Sequence, residues 1–314
     1  MFYTSDFKKF MHDLIIIGSG PAGVTAGIYA ARKKLKTLLI SRDFVGQVGR
    51  ASFVENYPGI LGVRGLDLTQ KWREHLKKFE IEIKEGEEVV SLKKENDFFQ
   101  VKTKNNEYEA KAVIVATGRK PKELDIPGEK EFLGKGVGYC VTCDGPLFGG
   151  KKIAVIGGGN SSFDAALESA KYGEKVYILH YEPQPKADEL TQERVKANGK
   201  ITLIPNADLK EIKGGKMVNS LLYEDLKAGE KKEILIDGVF VVEIGYTPVA
   251  EFLAELVDLN EAKEIIVDPR TGATKTPGLF AAGDVTDISA KQIIVAAGEG
   301  AKAALAAYNF LEKK

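Results

Sequence analysis

Cys140 and Cys143 are the only cysteines in the 314 residues, and they lie in the sequence Tyr-Cys-Val-Thr-Cys-Asp-Gly. A Cys-x-x-Cys pair can close a small, reversible disulfide, and such motifs lower a thiol pKa so that one sulfur attacks as a thiolate. A structural zinc site would need two further Cys or His ligands at matching spacing. The three histidines, at positions 12, 75 and 180, are scattered. The pair therefore predicts a two-electron dithiol–disulfide switch and no metal site.

Asp144 follows the second cysteine directly. A carboxyl group beside a dithiol can shuttle the proton that is released or consumed when the disulfide opens. Asp before Gly is also a common turn pair, and Gly145 comes next. The residues alone leave both interpretations of Asp144 open.

A glycine-rich turn belongs to the first of two similar elements that could position this chemistry. The apolar run 13–18 predicts a buried parallel strand; it leads into Gly18-Ser-Gly-Pro-Ala-Gly23, a helix at 24–34 and a second strand at 37–40. Strand, glycine turn, helix and strand within about thirty residues form the context that a dinucleotide fingerprint requires.

The same order recurs about 139 residues later, with a strand at 152–156, a turn at 157–162, a helix at 163–172 and a strand at 175–179. Two copies in this context predict two nucleotide-binding domains. Buried strands at 112–118 and 240–245 precede the expected crossings between them, and 81–110 and 201–240 predict short antiparallel strands. The predicted fold is α/β. It has two Rossmann-like nucleotide-binding domains, each with a three-layer ββα arrangement, and the second domain is inserted into the first. Their expected limits are 1–118 plus 246–314, and 119–245 with the Cys-x-x-Cys pair.

Composition excludes several classes of function. Lys plus Arg and Asp plus Glu both number 45, so no net field attracts nucleic acid or an acidic membrane. No apolar stretch approaches the roughly 18 residues of a membrane span, and the charged N-terminus has no apolar signal core. We therefore expect a cytoplasmic protein with neither nucleic-acid nor membrane partners, in which a disulfide is catalytic rather than structural.

Several motifs carry a resemblance to a known family, which extends from about Asp13 to the C-terminus. In order, they are Gly18-Ser-Gly-Pro-Ala-Gly23, Gly46-Gln47, Glu55-Asn-Tyr-Pro-Gly59, Ala116-Thr-Gly118, Cys140-Val-Thr-Cys-Asp-Gly145, Gly157-Gly-Gly-Asn160 and Gly278-Leu-Phe-Ala-Ala-Gly-Asp284. In this order they are similar to low-molecular-weight thioredoxin reductases. Stretches at 143–148, 185–188 and 291–302 are more similar to the reductase core of the flavoprotein subunit of alkyl hydroperoxide reductase. That subunit carries an additional N-terminal thioredoxin-like region; we expect none in this chain, and the resemblance then implies a separate redox partner.

The resemblance implies an FAD site at the first glycine loop, where helix amides would face the pyrophosphate. Ser41 and Arg42 stand where an acid would normally bind the ribose. By resemblance, Asp284 bonds the ribityl or pyrophosphate-linked part of FAD, although an Asp at this position could instead cap a helix. Gln47, Asn56 and Thr117 approach the flavin, and Gln292 and Ile293 lie beside its ring. The predicted FAD residues are Gly18, Ser19, Gly20, Pro21, Ala22, Gly23, Gly46, Gln47, Asn56, Ala116, Thr117, Gly118, Gly283, Asp284, Lys291, Gln292 and Ile293.

The second loop implies a nicotinamide dinucleotide. NADPH-using thioredoxin reductases have His-Arg-Arg after the next strand because a 2′-phosphate favours arginine. This chain has Tyr181 and Glu182 after His180. Glu182 would repel the phosphate and accept hydrogen bonds from free ribose hydroxyls, unless it only points to solvent. We therefore expect NADH to be preferred over NADPH, with contacts from Gly157, Gly158, Gly159, Asn160, Ser161, Glu182 and Gly245.

The family resemblance implies a homodimeric flavoenzyme that reduces a thioredoxin- or glutaredoxin-like protein. It assigns the flavin-facing sulfur to Cys143, the partner-attacking sulfur to Cys140 and an acid–base role to Asp144. The inserted domain is expected to rotate about crossings near 118–121 and 245–248. The alternatives are a dithiol oxidase that uses FAD and oxygen, against which the intact 157–159 loop argues, a non-catalytic redox sensor, and a reductase supplied by ferredoxin or a deazaflavin.

Overall fold

A computed structural model describes residues 11–51, 53–243 and 246–313. Its strands are β1 (His12–Ile17), β2 (Thr37–Ser41), β3 (Glu82–Glu85), β4 (Val89–Glu95), β5 (Phe98–Thr103), β6 (Glu107–Val115), β7 (Arg119–Pro121), β8 (Val137–Gly138), β9 (Lys152–Gly157), β10 (Lys175–Leu179), β11 (Ile201–Ile204), β12 (Ala207–Gly214), β13 (Val218–Asp225), β14 (Glu230–Leu235), β15 (Gly238–Glu243), β16 (Tyr246–Pro248) and β17 (Leu279–Ala281).

The helices are α1 (Pro21–Arg32), α2 (Gly46–Arg50), α3 (Gly65–Lys77), α4 (Val141–Asp144), α5 (Asn160–Tyr172), α6 (Glu189–Ala197) and α7 (Ile293–Glu312), with 3-10 turns at Gly145–Phe148 and Glu251–Leu256. None of the helices in the described ranges combines the length of a bilayer span with the apolar character that such a span requires.

The first sheet has seven strands in the order β3-β2-β1-β6-β5-β4, with β17 also paired to β6. Strands β1, β2, β3, β6 and β17 run parallel, and β4, β5 and β6 form an antiparallel meander. Side chains alternate across β1 because successive residues of a strand face opposite sides. Leu14 and Ile16 pack with α1 and α7, whereas Ile15 and Ile17 pack with Phe99 of β5 and the 3-10 turn at Glu251–Leu256. The parallel core is therefore covered on both faces.

The elements from β8 to β15 form a second unit, which is the inserted one. It has a five-stranded parallel sheet in the order β11-β10-β9-β15-β8 and a separate antiparallel sheet of β12, β13 and β14. Ala154 and Ile156 of β9 face the antiparallel sheet. Ile153 and Val155 face α5, where Phe163 is buried. Two Rossmann-like parallel sheets with these covering layers agree with the predicted fold class.

Strands β7 and β16 form a two-stranded antiparallel ribbon at the crossings between the two sheets, with Lys120 opposite Thr247. Gly245, at one of the predicted domain limits, lies outside the described residues.

Several sequence expectations differ from the structure in their limits. Helix α1 begins at Pro21 rather than at Val24 because proline is well suited to a first helical position, where its missing N–H costs nothing. Helix α5 likewise begins at Asn160 rather than at Phe163. Residues 107–110, expected as a separate short strand, are the first half of β6, which continues alongside β1.

Candidate functional site

One cavity of about 1670 Å³ lies at the carboxyl ends of the parallel strands of both sheets. Both glycine loops open into it, as do the residues after β6, the turn before Asp284 and the start of α7. Ligands of open α/β sheets bind at this edge of the strands. The volume exceeds the roughly 300–1000 Å³ typical of a single small-molecule site. The cavity is therefore larger than one small-molecule site requires.

The first loop is shaped by the backbone of its glycines. Gly18 has φ +113°, and a Cβ there would stand 2.2 Å from the carbonyl oxygen of Ala116, so a side chain is excluded. A Cβ on Gly20 would meet no atom within 4 Å, so a side chain there would project into the space that the loop encloses. Pro21 begins α1 directly behind this space. The loop thus presents helix amides to an anion.

Gly23 serves helix packing, whereas the other residues of the loop face the cavity. A Cβ on Gly23 would lie 1.8 Å from the carbonyl oxygen of Gly18, so its lack of a side chain lets α1 pack against the loop. It does not line the cavity, whereas the other predicted FAD residues do. Those that line it are Gly18, Ser19, Gly20, Pro21, Ala22, Gly46, Gln47, Asn56, Ala116, Thr117, Gly118, Gly283, Asp284, Lys291, Gln292 and Ile293.

The end of β2 is a hydroxyl-lined turn rather than an acidic strand end. The Oγ atoms of Ser19 and Ser41 lie 2.7 Å apart, and both hydroxyls lie within hydrogen-bond distance of the carbonyl oxygen of Asp43, at 2.6 and 2.7 Å. The Asp43 carboxylate accepts the backbone amide of Gly46 at 2.8 Å. This turn fixes the start of α2, which carries Gln47.

Arg119, which the sequence analysis missed, links three parts of the cavity wall. Its Nε donates to the carboxylate of Asp284 at 3.1 Å, and its guanidinium lies 4.2 Å from the ring centre of Tyr246 on the neighbouring ribbon strand. The Gln47 side chain donates to the Arg119 carbonyl oxygen at 3.0 Å. Arg119 therefore connects the ribbon to the side chain predicted to bond FAD.

Residues predicted to lie beside the flavin contact one another across the cavity. The amide of Asn56 donates to Gln292 at 3.3 Å. Lys291 pairs with Glu264 at 2.8 Å, with both side chains largely buried. These contacts hold the start of α7 against the Glu55–Gly59 segment and the loop before β17.

The second loop repeats the design of the first. Gly157 has φ +130°, and Gly158 lies against His180, whose Cβ would be 3.1 Å from a Cβ on the glycine. Asn160 and Asp188 exchange two hydrogen bonds, at 2.9 and 2.6 Å, which tie the start of α5 to the segment after β10. The predicted NADH residues that line the cavity are Gly157, Gly158, Gly159, Asn160, Ser161 and Glu182. Gly245 lies outside the described residues.

Glu182 is paired at the rim of this loop. Its carboxylate accepts Nζ of Lys186 at 2.6 Å, and this ammonium holds the pKa of Glu182 below its usual value. Tyr181 is 62% exposed. His180, between these residues and the end of β10, is 3% exposed and lines the cavity.

Cys140 is disulfide-bonded and half-buried, and it directly precedes α4. The side chain of Cys143 lies outside the described part of the chain. Tyr139 and Val141 line the cavity, but Cys140 between them does not. The backbone amide of Asp144 donates to the Cys140 carbonyl oxygen at 3.1 Å. Across the described residues, no group of three or more metal-ligating side chains is positioned to hold an ion.

A buried carboxylate braces the residue before Cys140. Glu129 is 1% exposed and accepts the Tyr139 hydroxyl at 2.9 Å together with the backbone amides of Leu124 and Asp125 at 3.0 and 2.8 Å. Burial and the neighbouring carboxylate raise the pKa of Tyr139, which therefore stays a neutral donor. This bond connects the segment after the ribbon to the redox motif, and nothing in the local sequence indicated it.

The amino-acid sequence of the chain is similar to those of known proteins over nearly its whole length. The chain is 42% identical over 310 residues to the NADH dehydrogenase of Bacillus subtilis, covering 98% of this chain and 60% of the relative. It is 40% identical over 308 residues to a subunit of the alkyl hydroperoxide reductase of Pseudomonas putida, covering 96% of this chain and 59% of that one. The chain thus spans about 60% of the length of the curated relatives it matches.

Among solved structures, thioredoxin reductase of Lactococcus lactis in its FR conformation superposes with a TM-score of 0.93 at 39% identity, over 96% of this chain and 100% of that one. These likenesses confirm both the predicted resemblance and the fold class. The family model described as pyridine nucleotide-disulphide oxidoreductase matches residues 12–300. The chain therefore belongs to the pyridine nucleotide-disulphide oxidoreductase family.

Proposed function

We propose that the chain is a flavoenzyme that passes reducing equivalents from NADH, in preference to NADPH, through FAD and the Cys140–Cys143 disulfide to a thioredoxin- or glutaredoxin-like protein. In balance, NADH, one proton and a disulfide become NAD⁺ and two thiols. The observation that carries the proposal is that both glycine loops open into one cavity, which is also lined by Val141 of α4, the residue directly after Cys140. Relatives of both the thioredoxin reductase and the alkyl hydroperoxide reductase type support it.

The first loop is the FAD site in this proposal. FAD, when bound, supplies the chemistry of accepting a hydride and returning an electron pair to a disulfide. The chain's own part is to hold the pyrophosphate on the amides after Gly18 and to bond the cofactor through Asp284. Arg119 orients that carboxylate through its 3.1 Å contact. In this proposal residues 1–118 and 246–314 form the FAD domain, and residues 119–245 form the dinucleotide domain.

The preference for NADH follows from the charges around the second loop. A 2′-phosphate needs charge-assisted contacts, which arginine supplies best. Tyr181 and Glu182 stand where arginines would be needed, and the ammonium of Lys186 is already paired with Glu182 at 2.6 Å. A phosphate entering here would have to compete with that carboxylate for Lys186.

The roles within the redox motif follow the resemblance. Cys143 exchanges electrons with the flavin, Cys140 attacks the disulfide of the partner protein, and Asp144 gives or takes the proton. Asp144 is assigned this role because it directly follows Cys143.

A rotation of the inserted unit is part of the proposal because Cys140 does not line the cavity that holds both loops. The two-stranded ribbon is a compact pivot, since both crossings run side by side there. Arg194 on α6 also contacts Glu55 of the first unit at 2.6 Å. This pair has to break when the unit turns, so it favours the present orientation.

We further propose a homodimer assembled through the FAD domain, which would leave the inserted unit free to turn, and a cytoplasmic location without nucleic-acid or membrane partners. A reducing compartment suits a chain whose only two cysteines open and close in turnover.

The experiment that tests the function compares Cys140→Ser and Cys143→Ser with the wild type. Each variant should lose NADH-dependent reduction of a thioredoxin disulfide and keep anaerobic bleaching of the flavin by NADH, since flavin reduction precedes the dithiol step. Thr142→Ser, between the two cysteines, is the matched control and should keep turnover. A serine variant that turns over at the wild-type rate would contradict the assigned roles. Oxygen uptake with a small dithiol and no NADH would favour a dithiol oxidase instead.

A further inference from the structure

The residue directly before Cys140 is held by its backbone, its ring and its hydroxyl. Tyr139 follows β8, in which Val137 lies opposite Val239 of β15. Its ring packs against the core between the parallel and the antiparallel sheet of the second unit, and its hydroxyl donates to Oε1 of Glu129 at 2.9 Å. Cys140 is therefore joined to a residue that has little freedom to move.

The acceptor of this hydrogen bond is fixed as firmly as the donor. Glu129 is 1% exposed, and its carboxylate also accepts the backbone amides of Leu124 and Asp125 at 3.0 and 2.8 Å. The turn that carries Glu129 is seated on β12, since a Cβ on Gly128 would lie 1.9 Å from the carbonyl oxygen of Ile212. A hydrogen bond to a carboxylate is stronger than one between neutral groups. The bond thus ties the redox motif to a rigid part of the fold.

We propose that the Tyr139–Glu129 bond positions Cys140 and thereby lowers the reduction potential of the Cys140–Cys143 disulfide. The inference rests on the proposed function and deepens its dithiol step, in which two electrons and two protons break the S–S bond and leave two thiols. In that function the electrons come from NADH through FAD. Tyr139 acts through the backbone of Cys140, so it is a positioning residue rather than a catalytic one.

The sign of the effect follows from the entropy that is lost when Cys140 is ordered. Forming the Tyr139–Glu129 bond fixes the Tyr139 side chain and restrains the residue after it. In the disulfide form the S–S bond already restrains Cys140, so little further freedom is lost. In the dithiol form that freedom is still present and has to be given up. The hydrogen bond therefore stabilises the disulfide form more than the dithiol form, and its loss makes the disulfide easier to reduce.

The test is a redox titration of the FAD-loaded full chain in dithiothreitol buffers of stepped potential, without oxygen, in which thiols are counted by mass after alkylation. The count reports a single disulfide because the chain has only two cysteines. Tyr139→Phe should lower the equilibrium constant for disulfide formation about threefold to tenfold, which raises the midpoint potential by about 14 to 30 mV. Tyr108→Phe is the matched control. Tyr108 of β6 is also half-buried and donates to a carboxylate, that of Glu87 at 2.8 Å, and its loss should leave the potential unchanged.

Thermal unfolding of both redox forms separates positioning from general stability. The potential reports only the difference between the two forms, so a hydroxyl that stabilised both equally would lower both Tm values and leave the potential unchanged. Positioning predicts that Tyr139→Phe lowers the Tm of the disulfide form more than that of the dithiol form. An unchanged or lower potential in Tyr139→Phe, or an equal rise in Tyr108→Phe, would overturn the inference. A wild type whose flavin NADH does not bleach would refute the proposed function, and the thiol count would still decide the inference.

Discussion

The ion pair between Arg194 and Glu55 offers a direct way to test the proposed rotation of the inserted unit. The Arg194 Nη1 and Glu55 Oε1 atoms lie 2.6 Å apart, and the side chains are 44% and 43% exposed. Pairs this exposed contribute about 0.2–1 kcal/mol in double-mutant cycles. Losing the pair should therefore shift the equilibrium away from the present orientation by about 1.4-fold to fivefold, since RT is about 0.59 kcal/mol.

Rapid mixing of NADH with the oxidised protein, without oxygen, measures the consequence. In the proposed function flavin reduction needs the orientation in which both loops share one cavity, so loss of the pair in Arg194→Glu and Glu55→Arg should lower the observed rate, by the full factor when that orientation is the minor one and by less when it dominates. Reversing both charges in one chain should restore the rate. Raising the salt from about 0.05 to about 0.5 M should slow the wild type but not the single variants, because salt screens exposed pairs.

Lys275→Glu is the matched control. Lys275 pairs with Asp258 at 2.9 Å and is also 44% exposed, but both residues belong to the first unit. Its flavin should be reduced at the wild-type rate. If Arg194→Glu and Glu55→Arg also matched the wild type, or if the double reversal failed to recover the rate, the ion pair would have no part in the domain orientation.

Three further predictions concern the cofactors and the assembly. Asp284→Ala should lose most bound FAD, measured as the flavin-to-protein absorbance ratio after purification; a fully yellow variant would refute that contact. The wild type should favour NADH over NADPH about tenfold to a hundredfold in kcat/KM, since a missing charge-assisted contact costs about 1.5–3 kcal/mol. Replacing Tyr181 and Glu182 together by arginine should shift the preference toward NADPH, and equal wild-type efficiencies would contradict the charge argument. Light scattering should give twice the 34.2 kDa chain mass, and a stable monomer at micromolar concentration would exclude the dimer.

Much of the fold could be predicted because its signals are local. The apolar run that forms β1 and the glycine turn after it lie next to each other in the chain, and so do β9 and its turn. The same local signals placed the two loops at strand ends, where parallel sheets bring them to one edge. The predicted starts of the helices were less accurate, because α1 already begins at Pro21 and α5 at Asn160, within the glycine turns.

The parts that could not be predicted depend on contacts between distant residues. Arg119 meets Asp284 across 165 positions, and no local pattern indicates that pairing. Glutamate is usually found at the surface, yet Glu129 is buried. Its carboxylate oxygens accept hydrogen bonds from two backbone amides and from the Tyr139 hydroxyl. His180 lies two positions before Glu182, and nothing in the local sequence indicated that its ring would be buried.

In the proposed function, FAD and the Cys140–Cys143 disulfide form one chain of electron transfer supplied by NADH. Anaerobic titration with NADH, followed through flavin absorbance and a count of free thiols, tests it most directly. The wild type should take up two equivalents of NADH per chain, one for the flavin and one for the disulfide, and gain two thiols. Cys140→Ser should take up one equivalent. A wild type that saturates at one equivalent with no new thiols, or that NADH does not bleach, would contradict the account.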